Sequence, residues 1–415
     1  MFSYFTDPVV RGPILGCTLM CLAASLMGAL TFLKKRSLLG EALSHAAYPG
    51  VVFGSLLAVG LGITQGFFLS LVGALVSAFI GLLFLEWLEK RIHADAALCA
   101  LLASFFGLGV LGASYLQAVA PLFAKQAQLY LYGQAATMSD LHIVLYALLA
   151  TSVIAFLSFG YRPLQAMIFD SEFARCAQIH SRFFSGAAFF LFLISIVIGI
   201  RSVGVILMSG MLIAPAVAAR FYTDRFSLFL LLSGLFGFLS GLLGSILSVE
   251  AALPTGPVIV CVGALFALTA LFFAPKKGLV GRLIRVLRFR LRCIEENILK
   301  TIWKKAAISF SELSEMHPSY WLSFLLRRLH RQGWLMKGKG IYALSPDGTR
   351  KASQIVRLHR LWETYLADLG WPLERVHHTA EEMEHILTDE FEERLMRELR
   401  NPTVDPHAQP IPEKP

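Results

Sequence analysis

PKKGLVGRLIRVLRFRLR, residues 275–292, divides this chain in two. It carries seven basic residues (Lys276, Lys277, Arg282, Arg285, Arg288, Arg290, Arg292) and no acidic one, interleaved with Leu, Ile, Val and Phe. Two readings are open for it. One is an amphipathic helix lying on an anionic membrane surface with its cations among the headgroups. The other is a solvated flank that stops the last of a series of membrane helices. Either puts the C-terminal part of the chain on the cytoplasmic side, because Lys and Arg accumulate in cytoplasmic loops. The chain before it reads as membrane, and the chain after it as a charged soluble domain.

The whole-chain numbers agree. Of 415 residues 56% are hydrophobic and the mean hydropathy is +0.63, whereas soluble domains run about 45–50% apolar. The net charge is +9, and the dividing stretch alone holds seven basic residues. The excess is therefore local and does not make the whole protein a polyanion binder. The six cysteines form no CxxC pair, which argues against a zinc ribbon or a disulfide framework. No cleavable secretory peptide is expected, and the first apolar segment is long enough to stay in the membrane.

A spanning helix needs about 20 mostly apolar residues. Nine segments qualify: 12–33, 47–63, 66–87, 96–118, 141–160, 183–200, 203–221, 226–248 and 256–275. Segment 119–140 is expected to dip in and out. Basic residues fall in alternate loops: 34–36, 88–95 (Lys90, Arg91), 161–182 (Arg162, Arg175, Arg182) and 220–225 (Arg220, Arg225). That alternation places the N-terminus outside and the C-terminus in the cytoplasm of a multi-pass inner-membrane protein. Ser233, Gly237, Gly241 and Ser245, at steps of four, line one helix face where another backbone can approach, within the subunit or between two.

Ionisable residues inside a membrane are costly and tend to be functional. Glu41 and His45 share a helix face and could ligate a transition-metal cation. They could equally be a hydrogen-bonded pair near a helix start, ahead of Pro49-Gly50. Glu250, at an outer helix end, is a mouth residue or a solvated helix end. The run RSLLGEALSHAAYPGVVFG (36–54) resembles the second-helix signature of permease subunits of ABC importers for manganese, zinc and iron. VGVILMSGMLIAPAVAARF (203–221) and SVEAALPTGPVIV (248–260) are similar to later signatures of that family. The resemblance implies metal translocation past the acid–histidine pair in a permease dimer, homo- or heterodimeric, fed by an extracytoplasmic metal-binding protein. Glu41 stands where the family usually has Asp. No GxxxxGK[ST] phosphate loop occurs in the sequence, so the chain is read as a transporter subunit and not an enzyme. A separate ABC ATPase subunit is expected to dock on FDSEFARCAQIHSR (169–182), the counterpart of the family's coupling loop.

After the divide the pattern turns helical and amphipathic. Ile294, Ile298 and Ile302 make a stripe, Ser311-Glu312-Leu313 opens a short helix, and residues 319–331 form a second with Leu322, Leu325, Leu326 and Leu329 inward. WLMKGKGIYAL alternates as a two-stranded hairpin. Helix, turn, helix and hairpin make a winged helix-turn-helix. Tyr320, Ser323 and Arg327 are candidates for the major groove, and Arg328, Arg331, Lys337 and Lys339 for phosphates. The pattern also fits winged helices that bind only protein.

Further on, His359 and Glu363, His377 and Glu381, and Glu381 and His385 are each four apart, with Glu384 beside His385. Such a nitrogen and oxygen set suits Mn, Fe, Zn, Co or Ni, and without a thiolate it disfavours copper(I). A solvated acidic helix is the plain alternative. HRLWETYLADLGWPLERVHHTAEEMEHILTDEFEERL (359–395) resembles the dimerisation and metal-sensing segment of the diphtheria-toxin-repressor family. The resemblance implies a homodimeric repressor that reads operator DNA with a divalent ion, Mn2+ or Fe2+ and also Zn2+, as co-repressor. It assigns His359, Glu363 and His377 to one metal position. Glu381, Glu384 and His385 go to a neighbouring one, with His359 shared in manganese-type members. Asn297 stands where the family's first helix donates a ligand, and Lys300 where manganese-type members have a further acid. Longer members continue past DPHAQPIP into a small barrel domain, which is expected to be absent.

The expected architecture is an all-α polytopic membrane domain of eight or nine spans (1–275), a basic linker (276–292), a winged helix-turn-helix (293–350) and a helical metal-sensing and dimerisation domain (351–415). The function read from it is a metal-importer permease fused to a metal-dependent repressor that proteolysis near 276–296 releases to reach DNA. The alternative is a metal gauge that closes the transporter and binds no DNA.

Overall fold

The computed structural model describes residues 7–63, 67–133, 135, 138–177, 181–338, 340–383, 385 and 389–414. They form two compact units, Met1–Gly281 and Arg282–Pro415. The first is built of helices: α1 Pro8–Leu33, α2 Leu39–Gly60, α3 Phe67–Glu89, α4 Ala94–Val119, α5 Pro121–Tyr132, α6 Asp140–Phe159, α7 Tyr161–Phe169, α8 Ser171–Cys176, α9 Ser181–Val203, α10 Val205–Tyr222, α11 Phe226–Ala251 and α12 Thr255–Phe273. Among the described residues eight helices are long and apolar enough to cross a bilayer, and α10 adds a shorter apolar stretch, Leu207–Tyr222. α5, with 12 residues, is about 18 Å long and too short to span. α9 and α10 are separated by Gly204 alone, whose φ of +93° a side chain would strain.

One boundary changes the reading of the chemistry. α2 begins at Leu39, so Glu41 and His45 lie inside the helix and not ahead of it. The helix runs through Pro49, which has no N–H to give the carbonyl of His45 one turn earlier. Ser77 Oγ of α3 donates to the next carbonyl, Ala46 O, at 2.7 Å. That bond ties α3 to α2 beside the carbonyl that Pro49 leaves free.

Contacts sort the helix ends into two groups. Arg36 Nη2 pairs with Glu89 Oε2 at 3.1 Å, Tyr161 stacks on Phe226, and Asp224 takes both Arg220 at 2.9 Å and Lys277 at 2.5 Å. At the other ends, the Arg201 guanidinium lies 4.3 Å from the centre of the Phe67 ring, which also meets His142. Arg11 binds Asp140. The basic loops therefore share an end with Lys277, and the cation-poor loops lie together at the other.

The small-residue face of α11 packs within the subunit. Ser233 Oγ donates to Ser25 O of α1 at 3.1 Å. A Cβ on Gly237 would stand 2.1 Å from Ser25 Oγ, and one on Gly241 2.8 Å from Thr18 Cα. Gly241→Leu is accordingly expected to cost about 1–3 kcal/mol or more through overpacking and to lower the thermal midpoint in detergent. Gly107→Leu, whose Cβ meets nothing within 4 Å, should leave it unchanged. Equal midpoints for the two variants would rule out this packing.

α13 (Leu279–Lys305) gives its first turn to the first unit and the rest to the second. Then come β1 Ala307–Ser309, α14 Phe310–Met316, α15 Leu322–Arg331, β2 Leu335–Gly338, β3 Ile341–Leu344, α16 Pro346–Asp368, α17 Leu373–Met383 and α18 Asp389–Glu398. Ile298, Leu299 and Ile302 of α13 pack with Leu325, Leu326 and Leu329 of α15 in one apolar core, as the stripes predict. The hairpin has a third strand: β1 pairs antiparallel with β3 in the order β1-β3-β2, with Ile308 opposite Tyr342. AIS is too short to show a strand period. It pairs because the chain reverses at Ala306, φ +66°, and buries Ile308. Below this, Arg357 Nε binds Glu392 at 2.6 Å and Arg357 Nη1 donates to Pro412 O at 2.6 Å, fastening the C-terminal segment.

Candidate functional site

α16 puts His359 and Glu363 one turn apart on a single face, and α17 brings His377 against them. His359 Nε2 lies 3.1 Å from Glu363 Oε1 and 3.1 Å from His377 Nδ1, and His377 Nδ1 lies 2.5 Å from Glu363 Oε1. Among the described residues these three form a group of His, Cys, Asp or Glu with every ligand atom within 4.8 Å of the others. His359 is 4% exposed and Glu363 2%. Burial works to raise the Glu363 carboxyl, but hydrogen bonds from the two histidines outweigh it and hold the group at about 2. Two imidazole nitrogens, one buried and one (His377) at the surface, and an ionised, buried carboxylate converge in a set that fits a divalent transition metal.

The second expected set is not gathered this way. His385 spends Nδ1 on Glu296 Oε2 of α13, 2.6 Å away. Burial opposes ionisation of Glu296, while His385 and Arg292 more than compensate and lower its pKa. Glu381 is exposed, and Glu384 lies outside the described residues. Asn297 Oδ1 is buried with no hydrogen-bond partner among the described residues. Glu296 is the residue that the spacing arguments missed. Its signal was the Glu295-Glu296 pair, the first acidic residues after a run whose charges are all basic. Lys300, 5% exposed, aims Nζ at His359 Nδ1 from 3.1 Å, on the ring edge away from the carboxylate.

α15 presents Tyr320, Ser323, Arg327, Arg328 and Arg331 at or before its exposed face, with Tyr320 fully exposed. Arg328 Nε is tied to Glu295 at 3.2 Å, so one cation is partly spent on α13. Burial, the larger effect, raises the Glu295 pKa against the pull of Arg328. Lys337 is exposed and lies 5.7 Å from the centre of the Tyr342 ring. Lys339 lies outside the described residues.

In the first unit, Glu41 and His45 are both half-buried on α2. The His45 ring stands edge-on to Phe106 of α4, centroids 4.9 Å apart, and its Nδ1 is buried with no hydrogen-bond partner among the described residues. Glu250, in the last turn of α11, is exposed. Of segment 169–182, where an ATPase is expected to dock, α8 is described with Glu172, Phe173 and Arg175 exposed.

Residues 6–274 match the ABC 3 transport family, and residues 345–413 match the metal binding and dimerisation domain of iron dependent repressors. A probable metal transport system membrane protein of Chlamydia trachomatis is 33% identical over 439 aligned positions, covering 99% of this chain and 97% of that protein. The zinc transport system membrane protein TroC of Treponema pallidum is 32% identical and covers 71% of this chain and 98% of its own length. The solved structure of PsaBC from Streptococcus pneumoniae in complex with Fab shares the fold, with a TM-score of 0.58 at 24% identity over 69% of this chain and 99% of that one. The chain belongs to the ABC 3 transport family, as a multi-pass membrane permease joined to an iron-dependent-repressor metal-binding and dimerisation domain.

Proposed function

We propose that the first unit imports a divalent transition metal, Mn2+, Fe2+ or Zn2+, past Glu41 and His45. The second is a cytoplasmic, homodimeric repressor that reads the level of that metal and binds operator DNA. The observation that carries this reading is the His359–Glu363–His377 group, two of its members buried and His377 at the surface, in the same chain as a transition-metal permease fold. Relatives named for manganese transport, in Bacillus subtilis, and for zinc transport support the choice of cargo. A separate ATPase docked at 169–182, an extracytoplasmic metal-binding protein and a second permease subunit complete the importer. The bound metal supplies a cation that cross-links α16 to α17. His359, Glu363 and His377 hold it, while the Glu296–His385 bond joins α13 to the segment after α17.

A repressor tethered to a membrane reaches only the DNA that comes to it, so release by proteolysis belongs to the proposal. Proteases bind extended chain, and α13 is helical from Leu279 to Lys305. The cut is therefore expected in the non-helical 274–278. Detecting full-length protein alone, at every metal level, would remove this step.

The deciding experiment uses residues 279–415, which keep α13 whole, and DNA from upstream of the gene. Binding is titrated with Mn2+, Fe2+ and Zn2+ at fixed salt, because phosphate contacts are salt-dependent. Sequence-selective binding that requires metal is the expected result. Metal binding without DNA preference would favour the second reading, a gauge that closes the permease, which the covalent tether itself supports.

A further inference from the structure

We infer that residues 279–292 of α13 form a docking surface for anionic lipid headgroups, and that this surface holds the regulatory half on the membrane independently of its peptide link. The fold leaves both faces of this helix uncovered. On one side Leu279, Leu283 and Leu287 succeed each other at steps of four, at 45%, 58% and 48% exposure. On the other side Arg282, Arg285 and Arg288 succeed each other at steps of three, all exposed, and Arg292, one turn on and also exposed, pairs its Nε with Glu296 at 2.9 Å. Residues at those steps lie above one another on a helix, so the two rows are opposite faces of one rod, with the exposed Arg290, three after Leu287, ending the leucine row in a cation. The first acidic residue after Arg282 is Glu295.

The same helix changes character at its middle. From Ile298 onward Ile298, Leu299 and Ile302 are fully buried in the winged-helix core and Trp303 packs partly buried against it, so exposed apolar residues in α13 are confined to the basic half. Solvent alone would not suit such a row, and nucleic acid would take only the arginines. A headgroup layer takes both at once: apolar side chains enter the acyl boundary and cations stay among the phosphates. The location fits as well. α12 ends at Phe273 and α13 begins at Leu279. The intervening chain reaches about 20 Å at full extension, so the helix starts within reach of the bilayer that α12 leaves. Each basic side chain near an anionic surface strengthens attachment about fivefold.

This inference rests on the membrane-spanning unit and not on DNA binding. It has a consequence for release: a cut at 274–278 leaves α13 with the regulatory fragment, which then stays on anionic membrane until that contact is also broken.

The test uses the uncut chain in nanodiscs of phosphatidylcholine alone or mixed with phosphatidylglycerol, read by hydrogen–deuterium exchange. Amides of 280–291 are expected to exchange about tenfold more slowly in the anionic discs. Arg282→Gln combined with Arg288→Gln should remove that difference, as should high salt. Leu283→Ser combined with Leu287→Ser should remove it through the other face. Peptides from 322–331 serve as the folded control and should not change. Equal exchange in both lipids overturns the inference. So does protection that ignores lipid charge and grows with protein density in the disc, which would mean a second copy covers the helix.

Discussion

Glu363→Gln lowers the affinity of the regulatory half for Mn2+ or Fe2+ by about a hundredfold or more, and Lys300→Met raises it. The first effect comes from geometry. Glu363 Oε1 stands 2.5 Å from His377 and 3.1 Å from His359, and it contributes the one carboxylate of the group. Altering groups that merely orient metal ligands costs about 10–100-fold, so neutralising a ligand reaches at least the top of that range. The second effect has the opposite sign because Lys300 is itself a cation. A metal-ligating histidine ordinarily donates from its other ring nitrogen to an acceptor. Here that nitrogen, Nδ1 of His359, faces an ammonium donor at 3.1 Å. A dication held by His359, Glu363 and His377 would be repelled by this ammonium, on the order of several kcal/mol at the effective dielectric of a protein site. Loss of the hydrogen bond to a buried imidazole offsets about 1–3 kcal/mol. Repulsion wins, and at least a tenfold gain in affinity is expected. Titration calorimetry on the 279–415 fragment checks both, with apo melting curves as a control for folding. A Lys300→Met protein that binds metal more weakly would mean that the ammonium positions His359 and does not oppose the ion.

His45→Ala reduces metal uptake by about a hundredfold with membrane levels unchanged, and Glu41→Gln does the same while Glu41→Asp retains transport. Burying an imidazole nitrogen without a hydrogen bond costs about 1–3 kcal/mol. Nδ1 of His45 is in that state among the described residues, which a passing cation would relieve. Glu41 has a competing explanation. It occupies the first turn of α2, where any carboxylate gains about 0.3–1 kcal/mol from the helix dipole. The two explanations separate cleanly. A dipole role predicts a slightly lower melting point for Glu41→Gln and normal uptake. A pathway role predicts normal melting and lost uptake. Radiolabelled Mn2+ uptake into proteoliposomes with the partner ATPase decides between them, and normal uptake by His45→Ala would remove this pair from the pathway.

Much of the fold was legible in the sequence because it depends on one-dimensional quantities. Apolar length gave the membrane spans, alternating basic loops gave the grouping of helix ends, and the stripes of α13 and α15 gave the core of the winged helix. The His359–Glu363 pair was legible for the same reason, since a spacing of four on a helix fixes a shared face. Other features depended on pairings far apart in the chain. β1 has no period of its own and exists because β3 pairs with it. The small face of α11 could have met another subunit as readily as α1 until the backbones were placed.

The sequence by itself determined the two-part architecture and the residue types available to bind metal, because burial period and charge are local properties. Only the tertiary structure decided which of those residues meet. It brought His377 to the α16 pair, gave His385 to Glu296 and set Lys300 against His359, because each of these contacts joins helices whose relative placement no spacing encodes. It also carried α2 back to Leu39 and so put Glu41 and His45 inside a helix, where the local sequence alone suggested a start.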